Sequence, residues 1–571
     1  MNLELDSEKI KIASGKKPAD LVIKNVKIVN VFTKEIIKNN VAIYKDFIIG
    51  IGNYKGINEI DAEGKFICPG LIDSHVHIES SMVSPVEFAN SILPHGTTTI
   101  IADPHEIANV CGENGIKFMI NQSKNTLLNI FFMLPSCVPA TPFENNGSIF
   151  DSSKMKYFIS NKNILGLAEV MDYVSVINCN EEILKKINLF KNSTIDGHCP
   201  SLSGKSLNAY KISGVSTDHE CSTIEEVAEK LRIGMYIQIR EGSAAKNLTN
   251  IISEMIKINL PFNKCLFCTD DRQLADIIQN GHINYNIKKS ISLGLNPIEA
   301  ISMATINTAN CYNLKNIGAI APGYIADFLL LNDLDSFDID KVYLKGKILK
   351  ENNENNYTLN ITKNELSILN TVNIPKITKE KLKITINNDL ANVIDLIPGS
   401  LITKKNLCSV KKINNIFIAD KTFSKLVVIE RHKALNKIGL GILKNFNIQS
   451  GAIASTIAHD SHNLIVVGDN DDDILLAINK IKQINGGLVI VGNNKVLGSL
   501  ALPIAGIMST ESANIVESNL KKLNEISIEL KINPQIDPFT LLSFLALPVI
   551  PEIRLTDQGL FDVINYKFIS I

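Results

Sequence analysis

The sequence predicts an α/β protein: a (β/α)8 TIM-like barrel over residues 67–317, a small β-sandwich domain built jointly by its two flanks, and a C-terminal α+β domain. Three observations predict this. Short, continuously apolar runs alternate with helix-spaced stretches through the middle of the chain, over the roughly 250 residues a barrel requires. β-like runs punctuated by Gly, Asn and Lys occupy residues 1–66 and return at 318–350. Carboxylates and imidazoles follow most of the central apolar runs, where the C-terminal rim of a barrel carries its chemistry. A doubly wound open sheet is the competing topology for the central region.

Taken in order, Leu21–Val29, Asn40–Tyr44 and Phe47–Gly52 read as strands that need partners outside their own segment. Phe328–Leu331 and Lys341–Gly346 supply them, so residues 1–66 plus 318–350 form one small β-domain. Within residues 67–317, the runs Thr97–Ala102, Ile130–Leu134, Ile164–Ala168, Met235–Ile239 and Cys265–Cys268 fit buried parallel strands. Ile183–Phe190, Ile224–Leu231 and Leu248–Ile258 have helical spacing. An Asn-rich passage, Glu351–Asn356, leads to a last region at 375–571, with strands at Lys425–Ile429 and Asn463–Val467 and a helix at Ile474–Ile484.

Composition narrows the function classes. The chain has 571 residues, 45% hydrophobic and 20% charged, as an ordinary globular protein does. A net charge of -1 without long basic runs gives no footing for nucleic acid or an anionic membrane. Ten scattered cysteines lack the density of a disulfide scaffold and read as reduced thiols. The start of the chain lacks a basic n-region and an apolar h-region, and no apolar stretch reaches the roughly 18 residues of a membrane helix. The expectation is a cytoplasmic protein.

The chemistry centres on Pro69-Gly-Leu-Ile-Asp-Ser-His75-Val-His77. On an extended strand, residues i and i+2 point to one side, so His75 and His77 can offer their rings to one cation. A core histidine with a satisfied ring explains a single such residue. It explains poorly the set of His75, His77, His95, His105, His198 and His219, six of the ten histidines in the chain, most of them at predicted strand ends. Asp103-Pro104-His105-Glu106, Glu169, Asp218-His219-Glu220 and Thr269-Asp270-Asp271-Arg272 follow strands in the same way.

Together these motifs resemble the amidohydrolase superfamily and, within it, the bacterial adenine deaminases. The resemblance is carried by His77-Ile-Glu79-Ser-Ser-Met82, Asp103-Pro-His-Glu-Ile-Ala-Asn-Val110, Asp196-Gly-His198-Cys-Pro200, Thr217-Asp-His219-Glu220 and Ala458-His459-Asp-Ser-His462-Asn463, and covers essentially the whole chain. It implies a binuclear divalent centre, with His75 and His77 on one ion, His198 and His219 on the other, Glu169 bridging in place of a carboxylated lysine, and Asp270 completing the ligand set of the ion held by His75 and His77. Mixed nitrogen and oxygen donors suit Mn2+, Fe2+ or Zn2+ better than Mg2+ or Ca2+, and the family points to Mn2+. The implied reaction is hydrolysis of adenine to hypoxanthine and ammonia by a hydroxide held between the ions, as in purine salvage. Asp270 would move the proton, and Glu106 or Glu79 would protonate the ring. Adenine is the expected small-molecule partner, and a homodimer the expected assembly. Hydrolysis of a cyclic amide or an aminopyrimidine is the alternative.

Other features read plainly. Cys265-x-x-Cys268 lacks a second pair and is expected to be two thiols on a barrel strand. Gly486–Gly492 is a hairpin or strand connection and not a nucleotide site, Asp469–Asp473 a helix N-terminus, and Asp271 a partner of Arg272 or of nearby backbone. Glu430-Arg431-His432 and His459–His462 either reach the active site or order a loop.

Overall fold

The computed structural model describes residues 6–349 and 358–571; the Asn-rich passage lies outside the described residues. At its centre, Leu71–Val76, Thr97–Ala102, Asn129–Leu134, Ile164–Val170 and Thr194–Gly197 form a five-stranded parallel sheet. Thr217–Asp218, Tyr236–Arg240 and Cys265–Cys268 form a three-stranded parallel sheet. The two sheets meet along both edges. At one seam Ser216 donates its N–H to Ile195 O at 2.9 Å, and Gly197 donates to Thr217 Oγ1 at 3.2 Å. At the other, Asp270 donates to His75 O at 3.0 Å and His77 to Asp270 O at 3.3 Å. The ring so closed is a TIM-like barrel, and the open sheet is not formed.

Local sequence explains the elements. Cys265, Leu266, Phe267 and Cys268 are all buried, as a strand covered on both faces requires, and both thiols are free. The helix Ile224–Arg232 begins with a capping box in which Thr223 and Glu226 satisfy each other's backbone N–H groups. Gly197 is required by close approach: a Cβ there would stand 2.3 Å from Thr217 O, at the seam that sets His198 beside the mouth.

One eight-stranded mixed sheet combines both flanks. Phe328–Asp333 pairs antiparallel with Phe66–Pro69, which pairs parallel with Ala19–Asn30. The rest of the chain is built on a second eight-stranded sheet, in the order Thr403–Cys408, Ala391–Leu396, Ile438–Lys444, Phe423–Ile429, Leu464–Gly468, Gly451–Ser455, Gly487–Gly492 and Lys495–Ala501. Gly487–Gly492 is one arm of a hairpin, and Asn470 caps the helix Asp471–Ile484 by accepting from Asp473 N. This sheet-rich part touches the barrel mouth: Ser509 donates to Met82 O at 2.8 Å, and Gln273 to Thr540 Oγ1 at 2.7 Å. No helix among the described residues is long and apolar enough to cross a membrane.

Candidate metal centre

The C-terminal ends of the barrel strands bring the predicted imidazoles and carboxylates to one buried point. His75 is the last residue but one of the first strand and His77 follows its end; their Nε2 atoms are 3.2 Å apart. His77 donates Nδ1–H to Asp103 O at 3.0 Å, which fixes its tautomer and leaves the Nε2 lone pair facing inward. Asp270, just beyond the eighth strand, adopts a left-handed backbone with φ 56°, rare for a non-glycine residue, and so turns its carboxylate back over the strand ends. Its Oδ1 lies 3.1 Å from His77 Nε2 and 3.6 Å from His75 Nε2.

Glu169, on the fourth strand, stands between two groups of histidines. Oε1 is 3.4 Å from His77 Nε2 and 4.0 Å from His75 Nε2, while Oε2 is 2.7 Å from His198 Nδ1 and 3.2 Å from His219 Nε2. The sites expected at His75, His77, Glu169, His198, His219 and Asp270 therefore converge.

The donor chemistry fits a pair of divalent cations. Ligands each about 2.1 Å from one ion stand roughly 3 Å or slightly more from one another, as these do. The Nε2 atoms of His75 and His77 converge on the same two carboxylates, and His219 Nδ1 is buried without a partner. The groups His75/His219/Asp270 and Glu169/His198/His219 could each hold an ion. Burial alone would raise the Glu169 carboxyl, but hydrogen bonds from His105, His198 and His219 outweigh it and hold Glu169 well below the usual range. Burial likewise opposes ionisation of Asp270, and the Arg240 guanidinium overcomes it.

Sequence reasoning left several participants without a role. Arg240 donates to Asp270 Oδ2 at 2.7 Å and to both oxygens of Glu220, so only Oδ1 of Asp270 faces the histidines. His105 Nδ1 sits 3.1 Å from Asp103 Oδ2 and 3.3 Å from Glu169 Oε1, against the same cluster. The motif around His105 was visible in the sequence, but nothing there shows which way its ring points.

The two expected ring-protonating acids differ in setting. Glu79 Oε1 accepts from Ile107 N at 3.2 Å, while Oε2 is buried with no partner; burial pushes the carboxyl up to about 7. Glu106 has both oxygens engaged, one by His459 Nδ1 and the other by His462 Nε2. Those histidines do reach the site. Asp271 corrects an expectation: it accepts from Ser80 Oγ, while Arg272 donates to Glu241 O at 2.8 Å and lies over the Tyr285 ring. Asp271 lines the cleft at the barrel mouth, whereas Arg272 is buried. A cleft lined by Ser80, Asp271, Gln273, His459 and Phe544 opens beside the cluster, with the His459 and Phe544 rings stacked at 4.4 Å.

Comparison with known proteins bears on this geometry. Residues 66–349 match the amidohydrolase family and residues 400–567 the adenine deaminase C-terminal domain. A protein of Clostridium acetobutylicum named adenine deaminase is 47% identical over 567 residues, covering 98% of this chain and 99% of that one. Adenine deaminases of Desulfitobacterium hafniense and Bacillus pumilus are 44% and 43% identical, covering 97% and 100% of this chain and the same shares of their own. Matched end to end at this identity, the chain belongs to the adenine deaminase family of the amidohydrolases.

Proposed function

We propose that the protein hydrolyses adenine to hypoxanthine and ammonia, as a step of purine salvage, with two divalent cations held by the barrel. The single observation that carries this reading is the convergence of His75, His77, His198, His219, Glu169 and Asp270 in a chain whose full-length relatives bear the name adenine deaminase. His75, His77, Asp270 Oδ1 and Glu169 Oε1 would hold one ion; Glu169 Oε2, His198 and His219 the other. Mn2+ is the preferred ion, with Fe2+ and Zn2+ compatible with the same donors. Cations so placed would lower the pKa of a shared water into the neutral range and so supply the nucleophile for purine C6.

The remaining work falls to protein side chains. Asp270 Oδ1 accepts the proton that the attacking water gives up and returns it to the leaving amine, while Arg240 holds Oδ2 and fixes the carboxylate in one orientation. A ring nitrogen must gain a proton as C6 takes on the new oxygen. Glu79 is the better donor, because Oε2 is free and burial keeps a proton on the carboxyl near neutral pH, whereas Glu106 is tied to two histidines. The balance is one adenine and one water giving one hypoxanthine and one ammonia. The three-part division at 1–66 with 318–350, 67–317 and 375–571 is part of the same reading, the middle part carrying the ions.

The test is ammonia release by the Mn2+-loaded protein with adenine, run beside adenosine, cytosine and a cyclic amide. Conversion of adenine to hypoxanthine is the expected outcome. Turnover of cytosine or the cyclic amide in its place would leave the centre standing and remove the substrate.

A further inference from the structure

We propose that this chain holds a third divalent cation where the barrel meets the C-terminal sheet, bound by His105 Nε2, the Glu106 carboxylate and Asp460 Oδ1. None of these three is among the six side chains assigned to the paired centre, and the proposal rests on the proposed function only in taking the same class of ion.

The geometry points to it in two independent ways. The first is the His105 ring. Its Nδ1 lies 3.1 Å from Asp103 Oδ2 and 3.3 Å from Glu169 Oε1, carboxylates to which it can only donate. A neutral ring in that tautomer presents an Nε2 lone pair to two more carboxylates, Asp460 Oδ1 at 3.4 Å and Glu106 Oε1 at 3.7 Å; otherwise the ring is an imidazolium that donates from both nitrogens. All three side chains are buried. Three acceptors turned toward one dry point repel one another unless a second ring proton or a bound cation lies between them. Their spacing suits ligands each about 2.1 Å from a common ion, and a metal-bound imidazole commonly donates its other N–H to a carboxylate.

The second is Glu144. It is 5% exposed, and neither carboxylate oxygen has a hydrogen-bond partner. Its charged neighbours are Asp460, Asp557 and Glu106, so at least three carboxylates share the region. Histidines and one arginine face them. Ala458 N donates to His462 Nδ1 at 3.3 Å, which places the His462 proton on Nε2, toward Glu106, in a neutral ring. His459 Nδ1 also meets Glu106. Arg431 directs its guanidinium to the carbonyls of His462, Thr371 and Ala505. A divalent ion held by His105, Glu106 and Asp460 would also pin the C-terminal part to the barrel, because Asp460 comes from the former while His105 and Glu106 come from the latter.

The experiment counts ions. Metal-free full-length protein is dialysed to saturation against Mn2+, and manganese per chain is measured by plasma mass spectrometry for the unaltered chain, Asp460→Asn and Glu169→Gln. The expected counts are three, two and one. Two ions in both the unaltered chain and Asp460→Asn would overturn the third site and leave the paired centre intact. A Glu169→Gln count equal to that of the unaltered chain would count against the paired centre instead. Should Asp460→Asn not fold, anomalous diffraction from Mn2+-loaded crystals of the unaltered protein decides: a peak between His105 and Asp460 is expected, and its absence overturns the proposal.

Discussion

His462, in a loop of the C-terminal part, hydrogen-bonds through Nε2 to Glu106 at the start of a barrel helix, across 356 residues of sequence. With His459 on the other carboxylate oxygen, the contact makes the C-terminal part a wall of the barrel mouth. Replacing both histidines by alanine leaves a buried carboxylate with two partners removed. Stability is expected to fall by about 3 kcal/mol, read as a lower urea midpoint with an unchanged slope.

Asp270→Asn keeps the shape of the side chain but removes its capacity to take a proton. We expect kcat to fall by on the order of 10³-fold while manganese content stays close to that of the unaltered protein. Full activity in this variant would exclude the assigned role.

Glu79→Gln tests the ring-protonating acid. The amide fills the same volume beside Ile107 N, so metal content and fold should persist while kcat drops by roughly 10²-fold. An equal loss in Glu106→Gln with none in Glu79→Gln would reverse the assignment.

Arg240 is the only lysine or arginine paired with Glu220 and Asp270 among the described residues. Arg240→Met removes it and leaves two buried carboxylates facing each other. A cost of about 3 kcal/mol is expected in the metal-free protein, and metal binding should recover part of it by replacing the lost positive charge.

Asp562, on the strand Gly559–Asp562, offers a pH test. Burial would raise its carboxyl, but hydrogen bonds from Lys405 and Asn565 prevail and lower it to about 2 from an ordinary 3.8. The folded-state value is depressed, so its stabilisation is present above about pH 3.8 and lost as pH falls through 2. Lys405 is over a third exposed, so solvent screening reduces the pair to about 1 kcal/mol. Asp562→Asn should cost that much at pH 7 and little at pH 2, by urea unfolding at each pH.

The barrel and most of the candidate centre were legible in the sequence because both are local. A strand with period two puts His75 and His77 on one side, and a strand end fixes where Glu169, His198, His219 and Asp270 emerge. The contacts that resisted reading depend on side-chain direction or on distant partners. Arg240 sits on the seventh strand as one cation among 58 Lys and Arg residues, and only the fold brings it between Glu220 and Asp270. The link from Glu106 to His459 and His462 has no periodic signal, since it joins separate parts of the chain. The setting of Asp271 was misread for a similar reason: proximity in sequence to Arg272 is no guide where a left-handed residue at 270 turns the backbone.

The central claim is that adenine is deaminated at a metal centre organised by Glu169. Its most direct test follows the ultraviolet spectrum of adenine with metal-free protein, the same protein reconstituted with Mn2+, and reconstituted Glu169→Gln. The account predicts conversion to hypoxanthine in the reconstituted protein alone. Conversion that survives metal removal, or no conversion of adenine by the fully loaded protein, would contradict it.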